Sequence, residues 1–167
     1  MKSFNVPLCV LVLFVISACS SAGEPKRERM LTGEWQIITA KSGKNMLCYT
    51  GTAPVNSEGS FEKRAQPYLM ATRRASGKIE ISTSSGYPYK QHSKVEFITE
   101  SKSHGLFFKN DTAWARNDAE DKAILTEMKK SSVIKIRSTS EAGVASVDTY
   151  STKGFADAIS RIKVLCP

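Results

Sequence analysis

Apolar and polar residues alternate in several segments of the chain after residue 33. In residues 78–84, Ile79 and Ile81 share one face while polar side chains occupy the other. The same period of two returns in residues 133–137, where Ile134 and Ile136 alternate with basic residues. This pattern is typical of strands with one buried face. We predict strands over residues 34–39, 46–50, 68–74, 78–84, 94–99, 105–109, 112–116, 133–137 and 145–150, and a loop over residues 54–66.

Two segments have a helical period instead. The first follows Asn117, a predicted N-cap, and begins with carboxylates that suit the helix dipole. The second repeats apolar residues at Phe155, Ala158, Ile159, Ile162 and Leu165. The elements together predict a mainly β, α+β single domain. We expect a β-sandwich or flattened barrel with the C-terminal amphipathic helix packed on the sheet.

The N-terminus has the pattern of an export signal. One positive charge, Lys2, precedes nine apolar residues at positions 8–16, and small residues fill positions 17–22. Nine residues span only ~14 Å as a helix, which is too short to cross a bilayer. We therefore predict that residues 1–18 are a cleaved signal peptide.

Two cleavage sites are compatible with this signal. The run Ile16-Ser17-Ala18-Cys19 resembles the bacterial lipobox, in which the cysteine receives a diacylglycerol thioether and becomes the mature N-terminus. Since more than one acyl chain gives stable anchoring, a lipidated Cys19 would hold the protein at a membrane. Ser20 in the next position resembles lipoproteins of the outer membrane. The alternative is ordinary cleavage after Ala22, which would leave a soluble periplasmic protein.

The remaining polar stretch, residues 19–32, is predicted to be a tether, and residues 33–167 form a single domain. Of the four cysteines, either cleavage leaves only Cys48 and Cys166 to pair within the domain. Export places them in an oxidising compartment. We predict a disulfide that ties the C-terminal helix to the early sheet, and the alternative is two unpaired buried cysteines.

The order of several short motifs resembles the invasion-associated locus B proteins of Gram-negative bacteria, over roughly residues 33–166. Upstream the resemblance rests on Trp35, Cys48, Tyr68-Leu69-Met70 and Gly86-Tyr87-Pro88. Downstream it rests on Ala113-Trp114, Met128-Lys129, Asp148-Thr149-Tyr150-Ser151, Lys153-Gly154-Phe155, Ala158 and Cys166. The family usually has Gly and Leu where this chain has Ser131-Ser132 and Thr152. The resemblance implies an exported envelope protein linked to host-cell entry or envelope integrity, with no known enzyme activity.

Catalytic patterns are weak in this sequence. His92 and His104 are the two histidines, and both lie in polar stretches that suit a solvated turn and a strand entry. Ser60-Phe61-Glu62-Lys63 matches S-x-x-K but lacks the companion K-T-G. No metal-ligand spacing or phosphate-binding glycine loop is present. We expect a non-enzymatic binding protein without cofactor or metal, and the alternatives are a periplasmic hydrolase or a chaperone-like envelope assembly factor.

The charge indicates the kind of partner. Lys plus Arg number 24 against 16 Asp plus Glu, which gives +8, and export disfavours nucleic acid as the partner. The densest cluster in the domain is Arg73, Arg74 and Lys78 around a short predicted turn. We expect it to contact anionic envelope or host-surface groups, and the simpler interpretation is a solvated surface. The other predicted partner is the membrane, through the lipid anchor.

Overall fold

A computed structural model of the chain describes residues 27–42, 45–61 and 63–167. The predicted signal peptide and residues 19–26 of the predicted tether, which include Cys19, lie outside the described residues. Two helices occur within these ranges, α1 (Asp118–Met128) and α2 (Phe155–Leu165). The strands are β1 (Arg27–Thr32), β2 (Trp35–Ser42), β3 (Asn45–Thr52), β4 (Asn56–Glu58), β5 (Tyr68–Arg73), β6 (Ile79–Ser84), β7 (Val95–Ile98), β8 (Ser103–Lys109), β9 (Thr112–Trp114), β10 (Val133–Thr139) and β11 (Ala145–Ser151).

All of these strands belong to one antiparallel sheet. Their order across the sheet is β1-β2-β3-β5-β6-β9-β8-β7-β10-β11-β4. In the part of the chain that the structure describes, β1 and β4 each pair on one side only, so the sheet is open. The predicted mainly β class with two helices is confirmed.

The sheet folds over on itself, because an open sheet of more than about ten strands must curl or split to bury its faces. The indole Nε1 of Trp35 in β2 donates to the carbonyl of Ser151 in β11 at 3.0 Å. At the same crossing Gly33 and Gly154 have positive φ, and a Cβ on either would collide with the opposing backbone. The two halves therefore enclose one core, as in a flattened barrel, but hydrogen-bonded strands do not close the ring.

The core is filled by inward-facing residues of both halves and of α2. Trp35 and Phe155 are fully buried, and their ring centroids lie 4.7 Å apart. Helix α2 contacts β1, β2, β3 and β5, and it buries the predicted apolar stripe Phe155, Ala158, Ile159 and Ile162. The C-terminal helix therefore packs on the sheet as predicted.

Helix α1 begins as the sequence predicts. The Asn117 side chain accepts hydrogen bonds from the backbone N–H groups of Ala119 and Glu120, both at 3.0 Å. A carboxylate that the sequence analysis assigned to the dipole has a second role: Asp121 is buried and accepts from the backbone N–H of Ile81 at 2.8 Å. Burial raises the pKa of the Asp121 carboxyl, although the bond from Ile81 opposes this effect. Asp121 thus fixes α1 to β6.

Two edge strands, β1 and β4, lie in segments where the sequence predicts no strand. Residues 27–32 belong to the predicted tether of residues 19–32, but they pair with β2 along their whole length. Asn56–Glu58 falls in the predicted loop, yet it pairs with β11. All three β4 residues are exposed, and in β1 Met30 packs against the core while Leu31 is exposed. An edge strand held mainly by backbone hydrogen bonds has no regular apolar pattern, so alternation could not reveal either strand.

Neither helix of the described residues is long and apolar enough to cross a membrane.

A disulfide joins Cys48 in β3 to Cys166 after α2, as the sequence analysis predicts. The two Cα atoms lie 6.3 Å apart, within the usual range for a disulfide, and the residues are 118 positions apart in sequence. Both cysteines are buried. The bond therefore fixes the end of the chain to the third strand of the sheet.

Reduction of this disulfide should lower the free energy of unfolding by up to about 4–5 kcal/mol, because the unfolded chain then regains the freedom of a long closed loop. Urea unfolding with and without reductant measures the change. The double variant Cys48→Ala/Cys166→Ala is the control, and reductant should leave its unfolding midpoint unchanged. Equal stability of the oxidised and reduced wild-type protein would contradict the prediction.

Candidate functional site

A cleft lies beside the turn between β10 and β11. Its volume is about 880 Å³. One wall is formed by Ser60, Phe61 and Lys63, and the other by residues 140–144 of the β10–β11 turn. Tyr87 and Pro88 form the floor, and the Tyr87 ring stacks on Phe61 with centroids 5.0 Å apart. The lining thus joins an aromatic pair to groups of opposite charge, Lys63 and Glu141.

Behind the cleft lies a buried network of hydroxyl groups. The Tyr87 hydroxyl contacts Ser138 Oγ at 2.9 Å and also contacts Ser146 Oγ. Ser138 Oγ lies 2.9 Å from Ser85 Oγ, and the Ser85 backbone N–H donates to the Tyr89 hydroxyl at 3.0 Å. Burial raises the pKa of Tyr89 to about 12, outweighing its bonds to Ser85. These hydroxyl groups connect the cleft lining at Tyr87 to both halves of the sheet.

One cleft wall is fixed by a buried ion pair. Asp148 in β11 is fully buried, and Arg64 donates to both of its carboxylate oxygens, at 2.9 and 3.2 Å. Ser57 in β4 adds a third bond, from its hydroxyl to Asp148 Oδ1 at 2.6 Å. The Arg64 guanidinium also lies 4.8 Å above the Phe61 ring centroid. Arg64 therefore connects the residues that line the cleft to the core of the sheet.

Sequence analysis missed both members of this pair. Arg64 lies in the segment predicted as a loop, 84 positions from Asp148. The alternation of β11 did indicate that Asp148 is buried, because Ser146, Asp148 and Tyr150 share the inward face. A carboxylate at an inward position of a strand needs a partner, although the sequence does not say which one.

His104 lies between two carboxylates rather than beside a nucleophile. Its Nε2 is 3.5 Å from Glu127 Oε2, and its Nδ1 is 4.0 Å from Glu120 Oε1. The Thr99 hydroxyl donates to Glu127 at 2.9 Å, and Lys102 Nζ lies 3.5 Å from the same carboxylate. Burial raises the pKa of Glu127, but Thr99, His104 and Lys102 outweigh it, so the pKa lies below its ordinary value of 4.5. This cluster attaches α1 to the β7–β8 hairpin.

His92 is exposed in a turn, in the left-handed conformation with φ 60°. This placement matches the predicted solvated turn. Ser60 and Lys63 of the S-x-x-K match both line the cleft. Within the described ranges, no group of three His, Cys, Asp or Glu residues could hold a metal ion.

The three cations of the predicted anionic-binding cluster each have an acceptor within the protein. Arg73 donates to the carbonyl of Gly77 at 2.6 Å and also to that of Cys166. Arg74 pairs with Glu80, and Lys78 pairs with Asp118. Arg73 is half-buried, whereas Arg74 and Lys78 are exposed. Binding of an anionic partner here stays a prediction, but such a partner would compete with these contacts.

No protein-family model matches the chain, and no curated protein matches it. A solved structure does match: the crystal structure of invasion associated protein B from Bartonella henselae has a TM-score of 0.64 to this chain, at 13% sequence identity. The fold of this chain is similar to that of invasion associated protein B. The match covers 83% of this chain and 96% of the Bartonella chain. At this identity the likeness concerns the fold alone.

Substitution Asp148→Asn should destabilise the domain by about 3–5 kcal/mol, because it leaves the Arg64 charge in a largely buried position without its partner. The double variant Arg64→Met/Asp148→Asn should lose less than the single variant. Chemical denaturation measures both. Glu96→Gln breaks the exposed pair with Arg137 and serves as the control, with an expected loss below about 1 kcal/mol. A loss for Asp148→Asn no larger than for Glu96→Gln would contradict the role of the buried pair.

The lowered pKa of Glu127 predicts a pH-dependent contribution to stability. A carboxyl whose pKa is lower in the folded state stabilises the fold above its unfolded value, and this contribution is lost as pH falls through the folded value. The stability difference between wild type and Glu127→Gln should therefore be full above about pH 5 and shrink toward pH 3. Urea unfolding across this range measures it. A stability difference between the two proteins that does not change with pH would contradict a lowered pKa for Glu127.

Proposed function

We propose that this chain is an exported cell-envelope protein, anchored through a lipidated Cys19, whose domain binds a partner rather than catalysing a reaction. The observation that carries the proposal is the similarity of fold to invasion associated protein B over most of both chains. The name of that protein refers to invasion, and we extend a role in host-cell entry to this chain on that basis.

Two observations support export. The apolar run at positions 8–16, with small residues after it, has the form of a secretory signal. The Cys48–Cys166 bond is a structural disulfide of the kind that persists in oxidising compartments. Both observations favour the periplasmic side of a membrane or the cell surface.

Binding is favoured over hydrolysis by the placement of the polar groups. Nucleophilic catalysis needs a hydroxyl or thiol hydrogen-bonded to a base. Beside His104 the nearby hydroxyl, Thr99, donates to Glu127. The cleft, by contrast, combines concave shape, stacked aromatic rings and charged rim groups, as ligand sites do. A hydrolase or an assembly factor remains the alternative function.

The location is tested by fractionation and mass spectrometry of the mature N-terminus. We expect wild-type protein in the membrane fraction with an acylated Cys19, and release of Cys19→Ser into the periplasm. Cys9→Ser is the matched control, because this cysteine lies inside the apolar run and should not affect anchoring. A mature protein that begins at Gly23 and is soluble would contradict the lipid anchor.

The binding role is tested by association of bacteria with cultured host cells, in a deletion strain complemented with variants. Lys63→Glu reverses one rim charge of the cleft and should reduce association to the level of the deletion strain. Lys135→Glu makes the same change at an exposed position of β10 outside the cleft, and it should retain wild-type association. Equal behaviour of the two variants, at equal protein levels, would contradict a role for the cleft.

A further inference from the structure

A row of directly opposed positions crosses seven strands on the outer face of the sheet. Residues that are directly opposite each other in paired strands lie on the same face. The registers link one such set from β1 to β8, here named the outer row: Leu31, Gln36, Gly51, Met70, Ser82, Trp114 and Phe107. Gly51 has no side chain and Ser82 is 2% exposed, so the exposed apolar groups of the row lie mainly at its two ends.

The outer row lies on the face opposite α2. Trp35 and Ile37, which alternate with Gln36 in β2, are fully buried, and Trp35 packs against Phe155 of α2. Strand alternation then places Gln36 and its row on the other side. Large apolar groups are exposed at both ends of the row, since Leu31 is 71% and Phe107 49% exposed.

Aromatic side chains enlarge this surface. Phe107 stacks on Trp114 with ring centroids 5.3 Å apart. Between the ends of the row, Ile38, Tyr49, Tyr68 and Met70 line a shallow groove of about 300 Å³. Trp and Tyr combine an apolar ring with a polar group, and both are enriched where membrane meets water.

Basic residues flank the row at both ends. Arg29 is two positions before Leu31, Lys109 two positions after Phe107, and Arg116 two positions after Trp114. All three are exposed. Apolar groups between cations match a bilayer that has anionic headgroups above a hydrocarbon interior.

The distance to the proposed anchor is short. Strand β1 begins at Arg27, eight positions after Cys19. Eight residues reach at most about 28 Å when fully extended. A lipidated Cys19 would therefore keep the edge strand that carries Leu31 close to the bilayer.

We propose that the outer row docks the domain on an anionic lipid bilayer. The proposal rests on the lipid anchor of the proposed function, because that anchor would hold β1 close to the bilayer. It assigns membrane contact to the face of the sheet opposite α2. Docking in this orientation would leave α2, on the opposite side of the sheet, facing away from the lipid.

The test uses the Cys19→Ser chain from residue 19 onward, without the predicted signal peptide and without lipid, and vesicles of phosphatidylethanolamine and phosphatidylglycerol at low salt. The chain has two tryptophans, and Trp35 is fully buried whereas Trp114 is partly exposed. Tryptophan emission should shift to the blue on vesicle addition and be quenched by brominated lipid. Trp114→Phe should abolish the shift while the protein still sediments with the vesicles.

Leu31→Ser/Phe107→Ser should reduce sedimentation with the vesicles by at least about tenfold, since two exposed apolar groups no longer enter the interface. Val164→Ser is the matched control: Val164 is 79% exposed on α2, and its loss should leave vesicle binding unchanged. Circular dichroism confirms that each variant folds. Absence of vesicle binding, or an equal loss in Val164→Ser, would overturn the proposal.

This experiment is independent of the anchor itself. Mass spectrometry of the wild-type N-terminus reports lipidation of Cys19, whereas vesicle binding of the unlipidated chain reports docking of the sheet face. A lipidated protein whose unlipidated form ignores vesicles would retain the proposed function and reject the docking surface. Binding of the outer row to a glycan or a protein, with no response to vesicles, would also reject it.

Discussion

The buried carboxylate of Asp148 is the constraint on which this end of the molecule depends. A charged group removed from water must be paired and hydrogen-bonded, or the folded state loses several kcal/mol. Arg64 and Ser57 supply those bonds, and they come from two separate segments of the chain. The segment around Arg64 must therefore cross the end of the folded sheet, and the edge strand β4 must lie beside β11. The cleft wall is a consequence of this pairing.

A second constraint acts at the other end of the core. The Cys48–Cys166 bond fixes the end of α2 to β3, and the Trp35 indole joins β2 to β11. Behind the cleft, the serine and tyrosine hydroxyls also bond across the two halves of the sheet. An open sheet is thus kept folded by a few directional contacts around an apolar core, which leaves the face opposite α2 and one cleft available for partners.

The sequence predicts the elements that bury one face. Alternation located β6 and β10, the apolar period located α2, and the cysteine count gave the disulfide partner. Alternation did not predict β1 or β4, because edge strands are held by backbone hydrogen bonds that leave no regular side-chain pattern. The Arg64–Asp148 pair was also beyond prediction, since alternation places Asp148 inward but no local pattern identifies a partner 84 positions away. The contacts of His104 depend on how α1 packs, which is a tertiary property.

The central claim is that the buried pair orders the segment that forms the cleft wall. Amide hydrogen exchange measured by mass spectrometry tests it directly, because the backbone N–H of Ala65 donates to Gly86 at 2.8 Å in the ordered segment. In Arg64→Met, exchange in a peptide covering residues 59–67 should accelerate by at least about tenfold, while the β5–β6 hairpin keeps its wild-type rate. Unchanged exchange in residues 59–67, in a folded Arg64→Met protein, would contradict the account.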